Sequence, residues 1–255
     1  MVHFVGAGPG APDLITLRGK ELLERADCVI YAGSLVNPQL LDYTKSGCKV
    51  LDSASMTLEQ VIEEMTAQEQ EGHITVRLHT GDPCLYGAIR EQMDALAQRG
   101  IAYAVTPGVS SFCGAAAAVP AEYTLPGVSQ TVIITRAAGR TPVPQGEELA
   151  SLASHGASMV LFLSAGLLEQ AQSQLLEGGY PPETPVALVY KASWPEEKVY
   201  RCTVATLAQT ARENQVTRTA LVLVGDFLGQ EYQRSLLYDP SFSHGYRAAE
   251  REGRS

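Results

Sequence analysis

Residues 2–11 read VHFVGAGPGA, a short apolar run that ends in a stretch of glycine and proline. Such a run is typical of a buried strand that leads into a loop. Glycine lets the backbone of the loop approach a ligand closely, because it carries no Cβ. The stretch from Gly6 to Ala11 also fits G-x-G-x-x-A, the dinucleotide-binding fingerprint, although a plain tight turn accounts for it equally well.

Strand and helix patterns alternate after this loop. Cys28–Tyr31 is a buried strand pattern, and Ile74–Leu78 alternates apolar and polar residues as a strand does. Thr57 and Gln60 match a capping box, which predicts the start of a helix. Ile101–Val105 is a further strand pattern. Strands that alternate with helices predict βαβ crossovers and a largely parallel sheet.

Small residues and two prolines interrupt the pattern between residues 115 and 127. We therefore predict an N-terminal α/β domain over residues 1–117, a C-terminal α/β domain over residues 118–242, and a flexible tail over residues 243–255. The second half shows further strand patterns at Thr131–Thr135, Ser158–Leu163, Pro185–Tyr190, Lys198–Thr203 and Thr219–Gly225. Its helix patterns lie at Gly146–Ser154, Leu167–Leu176 and Val204–Glu213.

The composition is that of a folded protein, with 45% hydrophobic and 18% charged residues among 255, which excludes a disordered chain. A net charge of −9 argues against broad nucleic-acid binding. The five cysteines show no C-x-x-C spacing, so neither a disulfide framework nor a zinc site is expected. No stretch approaches the roughly 18 apolar residues of a membrane span, and the amino end has no signal-peptide pattern. We expect a cytoplasmic protein.

Two more loops follow predicted strands in the first half. Gly81-Asp82-Pro83 follows Ile74–Leu78, and Thr106–Ser111 follows Ile101–Val105 and opens a helix of small residues. Each alone is consistent with a structural turn or a helix cap. Because open α/β sheets bind ligands at the carboxyl ends of their strands, three such loops predict one shared ligand cleft.

Several classes of chemistry lack their motifs. The chain has no G-x-S-x-G elbow, H-E-x-x-H or Walker loop, and its five histidines show no metal spacing. A dinucleotide site is the minority interpretation, because Pro9 removes a backbone donor and no acidic residue ends the second strand. A dinucleotide-dependent oxidoreductase therefore remains an alternative function.

The three loops, in this order, resemble those of the tetrapyrrole methylase family, and the resemblance runs from about Val2 to about Tyr246. Within the family, the chain is similar to the enzymes that methylate C11 of precorrin-4 or cobalt-precorrin-4 in cobalamin biosynthesis. The segments that carry this finer resemblance are Tyr31–Val36, Asp52–Ala54, Glu122–Thr124, Ser129-Gln130, Ile133–Arg136, Gly139–Pro144 and Tyr190–Pro195.

The resemblance implies two α/β domains with a cofactor cleft between them, a fold distinct from that of ordinary methyltransferases. It also implies a homodimer, S-adenosyl-L-methionine as cofactor and a tetrapyrrole as substrate, with no nucleic-acid or membrane partner. The implied cofactor-binding positions are Pro9, Gly81, Asp82, Ser110, Ser111, Leu163, Ala192, Thr219 and Ala220. Within the family, methylases that act on ribosomal RNA or on a modified histidine are alternatives, and the acidic charge and the Arg136–Pro144 segment argue against both. A non-catalytic tetrapyrrole carrier is a further alternative, but it would need only a basic cleft and not three loops around one cofactor.

A polycarboxylate substrate needs a locally basic site in an acidic protein. The candidate substrate-binding residues are Arg18, Arg77, His79, Arg136, Arg140 and Lys191. The sequence departs from the family at two places. First, Ala11 stands where relatives usually carry Asp, so the polar contact of that Asp is absent or replaced by one from Asp13. The related uroporphyrinogen methylases have an Asp after the second strand and a Lys farther on, and neither matches here. No catalytic base is therefore assigned.

Overall fold

The computed structural model describes residues 1–249, except for the side chain of Ser34, and residues 250–255 of the predicted tail lie outside the described residues. The chain divides into two compact units. The first comprises Met1–Ala118 and Lys191–Lys198, and the second comprises Val119–Tyr190 and the chain from Val199 onward. Among the described residues, no helix has the length and apolar character that crossing a membrane requires.

The first unit contains one five-stranded sheet, flanked by helices. Its strands are β1 (Val2–Gly6), β2 (Cys28–Tyr31), β3 (Lys49–Asp52), β4 (Thr75–His79) and β5 (Tyr103–Thr106). Its helices are α1 (Leu17–Arg25), α2 (Leu58–Gln70), α3 (Ile89–Gln98) and α4 (Ser111–Ala118). The strand order is β3-β2-β4-β1-β5 and every pairing is parallel, as the alternation of strand and helix predicts.

Sequence patterns located most of these elements within a few residues. The predicted capping box is present, with Thr57 and Gln60 bonded reciprocally at the start of α2. Strand β3 was missed, because it lies at the edge of the sheet and most of its residues are exposed. An exposed edge strand lacks the alternation of buried and solvated residues on which sequence patterns depend.

Both faces of the first sheet are buried, each against different helices. Phe4 packs with Met65 of α2 and Leu96 of α3 on one face. Val5, the next residue of β1, packs with Leu23 of α1 on the other. This follows from the period of two, which turns consecutive strand residues to opposite faces.

The helices that follow β1 and β4 lie on opposite faces of the sheet. The chain leaves β1 through α1, packed on one face, and leaves β4 through α3, packed on the other. Because β1 and β4 are neighbours, their following loops diverge and leave a crevice at their carboxyl ends. The glycine-rich loop and the Gly81-Asp82-Pro83 loop both begin at this crevice.

The second unit contains a mixed five-stranded sheet. Its strands are β6 (Val132–Arg136), β7 (Ser158–Phe162), β8 (Pro185–Tyr190), β9 (Lys198–Thr203) and β10 (Ala220–Val224). Its helices are α5 (Leu149–Ala153), α6 (Leu168–Glu177) and α7 (Leu207–Glu213). The order is β6-β7-β10-β8-β9, and β10 runs antiparallel to both of its neighbours. The sequence did not distinguish this arrangement, because fully buried apolar strands look alike in either direction.

A line of polar side chains is buried beneath β4, on the face that α2 and α3 cover. The Arg77 guanidinium donates to the Ile30 carbonyl oxygen at 3.1 Å and to Gln92 Oε1 at 3.2 Å, and burial lowers its pKa to about 10. His79 is 4% exposed, and its Nε2 has no hydrogen-bond partner among the described residues. Burial, with a smaller contribution from the Arg77 charge, lowers the pKa of His79 to about 3.

His79 therefore makes stability depend on pH. Unfolded histidine binds a proton near pH 6.5, whereas the folded chain excludes it down to about pH 3. The unfolded state thus binds more protons in this window, and stability falls as the pH falls. From pH 7 to pH 5 we expect this residue to remove about 2 kcal/mol of unfolding free energy. Urea unfolding at the two pH values measures this loss of unfolding free energy. In His79→Phe, the contribution of about 2 kcal/mol should be absent.

The control for this prediction is His155→Gln, because His155 is exposed. This variant should keep the pH dependence of the unmodified protein. Equal pH dependence in His79→Phe and in the unmodified protein would contradict the assignment.

Candidate functional site

The glycine loop, residues Gly6–Ala11, continues the pairing of β1 with β4 beyond the two strands. The Ala7 N–H donates to the His79 carbonyl at 2.7 Å. Gly8 and Gly81 then exchange hydrogen bonds, at 3.3 Å from Gly8 N and 2.9 Å from Gly81 N. Both glycines adopt positive φ, +79° and +61°, which only glycine adopts without strain. The loops after β1 and β4 are therefore held to each other by backbone bonds.

The third loop, after β5, approaches the backbone of the other two closely at Gly108. A Cβ added to Gly108 would lie 2.1 Å from the Gly81 carbonyl oxygen and 2.7 Å from the Gly6 Cα. A Cβ on Gly6 would lie 2.5 Å from the Gly108 Cα. Since real Cβ atoms do not approach so closely, the three glycines form a junction that any side chain would separate.

Asp82 fastens two of these loops. Its Oδ2 accepts a hydrogen bond from the Gly108 N–H at 2.9 Å, and its Oδ1 accepts one from the Cys84 N–H at 2.8 Å. Burial alone raises the pKa of this carboxyl, but hydrogen bonds from the Cys84 thiol and from the two N–H groups outweigh it and lower the pKa. Asp82 is thus held as a carboxylate at the crevice.

Ser110 and Ser111 stand at the start of α4, against the glycine loop. Ser110 is buried, and its carbonyl accepts the first N–H bonds of the helix, from Cys113 at 3.0 Å and from Gly114 at 3.2 Å. Gly114 lies against Pro9, whose Cβ is 2.8 Å from the position of a Cβ on Gly114. We call Pro9, Gly81, Asp82, Ser110 and Ser111 the first-unit cluster. The structure brings these five predicted cofactor residues together.

The first-unit cluster offers particular chemistry. Hydroxyls and backbone N–H groups at a helix N-terminus favour a negatively charged group, such as a carboxylate. Close-packed glycines hold the three loops against one another, which fixes the positions of these groups. The cluster contains neither a thiolate nor a histidine, so its arrangement suits binding and orientation rather than covalent catalysis.

The predicted cofactor residues of the second unit lie at one end of its sheet. Val222 pairs with Leu161, and extending that register by two residues places Leu163 opposite Ala220. Leu163 is 64% exposed and has φ +52°, and Thr219 has φ +54°. A non-glycine residue in this region costs about 1–3 kcal/mol, and such strain concentrates at functional sites. Ala192 instead belongs to the first unit, where its Cβ lies 3.7 Å from the Cβ position of Gly114.

The six charged candidates differ sharply in exposure. Arg77 and His79 are buried beneath β4, where Arg77 bonds neutral groups. Arg18, in the first turn of α1, and Arg140, in the turn after β6, are exposed. Within the first unit, exposed Arg18 thus differs from the buried pair Arg77 and His79, and Arg140 belongs to the second unit.

Arg136 and Lys191 already have partners within the chain. The Arg136 guanidinium donates to the carbonyls of Ala137, Thr141 and Pro142 at 3.3, 3.1 and 2.7 Å, and so closes the turn that carries Arg140. The Lys191 ammonium lies 3.4 Å from a carboxylate oxygen of Glu196. Arg136 therefore shapes the turn that presents Arg140.

Sequence reasoning assigned no role to three side chains that hold the glycine loop. The amide of Asn37, which is buried, donates to the Gly10 carbonyl at 2.9 Å. Ser193 Oγ accepts the Ala11 N–H at 3.0 Å, and Trp194 Nε1 donates to the Pro9 carbonyl at 3.2 Å. The available signals were the position of Asn37 before a proline and the occurrence of a single tryptophan in the chain.

Ala11 has no side-chain polar group, but its backbone N–H is paired with Ser193 rather than left free. Asp13, the alternative considered for this position, is exposed in a short 3-10 helix. The polar contact at the loop thus comes from a residue 182 positions away in the sequence.

Known proteins share these features along most of the chain. A cobalt-precorrin-4 C(11)-methyltransferase of Methanocaldococcus jannaschii is 48% identical over 252 residues, which cover 98% of this chain and 97% of the relative. A crystal structure of a cobalt precorrin-4 methyltransferase matches with a TM-score of 0.88 and 46% identity, over 90% of this chain and 96% of that one.

A second solved structure carries a ligand. The uroporphyrin-III C-methyltransferase of Thermus thermophilus, complexed with S-adenosylhomocysteine, matches with a TM-score of 0.73 and 25% identity, over 89% of this chain and 92% of that one. The family described as tetrapyrrole (corrin/porphyrin) methylases matches residues 1–208. Fold, loops and relatives agree, and the chain belongs to the tetrapyrrole methylase family.

Proposed function

We propose that this protein is an S-adenosylmethionine-dependent C-methyltransferase that methylates C11 of precorrin-4 or cobalt-precorrin-4 and so forms the corresponding precorrin-5 in cobalamin biosynthesis. The observation that carries the proposal is the 48% identity, over nearly the full length of both chains, to an enzyme named for that reaction. Of the two substrate forms we favour the cobalt form, which that relative's name specifies. We further propose a cytoplasmic homodimer.

The residues of the first-unit cluster fit S-adenosylmethionine. Its amino-acid carboxylate matches the N–H and hydroxyl donors of Ser110 and Ser111 at the start of α4. The proposed cofactor residues of the first unit are therefore the cluster and Ala192. Leu163, Thr219 and Ala220 are the proposed cofactor residues of the second unit, supported by the strained backbone at the first two.

Bound S-adenosylmethionine supplies a methyl group already activated on a sulfonium. An electron-rich ring carbon would attack that methyl group, so that a carbon–carbon bond forms while the carbon–sulfur bond breaks and the sulfur keeps its electron pair. The first-unit cluster holds and orients the ligand and excludes water, and orientation alone is worth roughly 7–11 kcal/mol in favourable cases. The ring proton leaves to water or to the substrate, since no side chain is assigned as its base.

The macrocycle carries several carboxylates, and the protein is acidic overall. Exposed arginines are the natural partners, because a guanidinium pairs with a carboxylate through two parallel bonds. Arg140 is exposed on the turn that Arg136 closes, and Arg18 is exposed at the start of α1. We propose Arg18, Arg140 and Lys191 as substrate contacts. Arg77 and His79 are buried between β4 and its covering helices, and we give them a structural role.

Calorimetric titration with S-adenosylhomocysteine, with NAD as the comparison, tests the cofactor. We expect binding of the homocysteine compound at about one per chain and none of NAD. Assays with cobalt-loaded and metal-free precorrin-4 then test the substrate, with product detected by the mass of one added methyl group. Binding of NAD alone would favour an oxidoreductase instead.

Replacement of Asp82 should weaken cofactor binding by releasing the loop after β5. Asp82→Ala removes both acceptors, and Asp82→Asn keeps one oxygen without the charge. We expect S-adenosylhomocysteine affinity to fall by at least about tenfold in Asp82→Ala and less in Asp82→Asn. Calorimetry measures both, with the exposed Asp94→Asn on α3 as control. An unaltered titration for Asp82→Ala would refute the role of Asp82.

Replacement of Arg136 should weaken the tetrapyrrole and spare the cofactor. Arg136→Ala removes three bonds that close its turn, so the turn no longer presents Arg140. We expect affinity for a polycarboxylate tetrapyrrole such as uroporphyrin to fall about fivefold or more, with S-adenosylhomocysteine affinity unchanged.

The matched control is Arg90→Ala, because Arg90 is an exposed arginine of α3 that pairs with Asp94. Fluorescence titration with the tetrapyrrole compares the two variants. Equal affinity in both would refute the role of Arg136 in presenting Arg140 to the substrate.

A further inference from the structure

The segment Lys191–Lys198 leaves the second unit and packs in the first. It connects β8 to β9, both strands of the second sheet, yet it belongs to the compact unit that contains the glycine loop. We call it the tryptophan segment, after Trp194.

The tryptophan segment contacts three consecutive residues of the glycine loop. The Trp194 ring lies on Gly10, where an added Cβ would fall 2.0 Å from Cδ1 of the indole. The indole N–H donates to the Pro9 carbonyl at 3.2 Å, and Ser193 Oγ accepts the Ala11 N–H at 3.0 Å. One residue of the loop is covered by the ring, and its two neighbours are hydrogen-bonded on either side.

The tryptophan segment is itself held in a strained conformation. Lys191 and Ser193 have φ of +48° and +65°, a region that side chains disfavour. The backbone N–H of Ser193 donates to the Glu197 carboxylate at 2.5 Å. The backbone N–H of Trp194 donates to the Lys191 carbonyl at 3.0 Å. The Lys191 ammonium lies 5.1 Å from the centre of the indole ring, within cation–π range. Strain of this kind persists only where the surroundings over-determine it.

We infer that Trp194 and Ser193 are positioning residues for the cofactor: they fix the backbone of Pro9, Gly10 and Ala11 in the conformation that binds it. A loop with glycine on both sides of a proline has many accessible conformations, and a ligand that orders it loses affinity. Bonds made before the ligand arrives remove that loss. The inference rests on the proposed cofactor, and it assigns Ser193 and Trp194 a role through the loop that they hold.

Two variants separate the contributions of the tryptophan segment. Trp194→Phe keeps a ring over Gly10 but removes the N–H, and Ser193→Ala removes the acceptor for Ala11. We expect each to bind S-adenosylhomocysteine about tenfold more weakly in calorimetry. The KM for S-adenosylmethionine should rise in proportion, while the KM for the tetrapyrrole stays within about twofold.

A control distinguishes positioning from general loss of stability. Val61→Ala removes buried apolar contacts of α2 in the same unit, away from the loop, and should leave cofactor affinity unchanged. Trp194 is the single tryptophan of the chain, so acrylamide quenching of its fluorescence reports on the segment without any cofactor. Quenching should increase in Ser193→Ala and not in Val61→Ala.

The outcomes are distinct. If the unmodified protein binds no S-adenosylhomocysteine, the proposed cofactor is wrong and the inference falls with it. If the unmodified protein binds and both variants bind equally well, the proposed function stands and the inference is overturned. Weakened binding that Val61→Ala reproduces would also overturn it, because stability alone would then explain the loss.

Discussion

The contact among Gly6, Gly81 and Gly108 is the constraint on which the rest of the first unit depends. Three parallel strands end side by side, and their loops can meet only because none of these residues has a side chain. A methyl group at Gly108 would sit 2.1 Å from a carbonyl oxygen, so the loops would have to separate. The first-unit cluster exists because this junction holds its members at fixed distances.

The junction also explains why the site needs so little chemical machinery. Both carboxylate oxygens of Asp82 accept hydrogen bonds from backbone N–H groups, and the Ser110 carbonyl accepts hydrogen bonds from the first turn of α4. These groups arrange the loops rather than attack a substrate. Transfer of an activated methyl group requires alignment and the exclusion of water, and a rigid framework of backbone bonds provides alignment without a nucleophile.

The parts of the site that sequence could predict are those encoded locally. The glycine motifs and the ends of the strands were found because turn chemistry and periodicity act over a few residues. Trp194 was found only as part of a family resemblance, since its contact with Pro9 spans 185 positions in the sequence. The burial of Arg77 and His79 was also missed, because strand alternation does not reveal that α2 and α3 cover the polar face of β4.

Several strand ends of this fold combine the geometry of the candidate site with features that lower the stability of the folded state. His79, the last residue of β4, is buried with an unpaired nitrogen, and its carbonyl receives the first bond of the glycine loop. Leu163 follows β7 and Lys191 follows β8, both with left-handed backbone. Such features lower the stability of the folded state and are tolerated because packed strands hold them in place. A more stable sequence would relax these strand ends, and the loops would lose the geometry that binds a ligand.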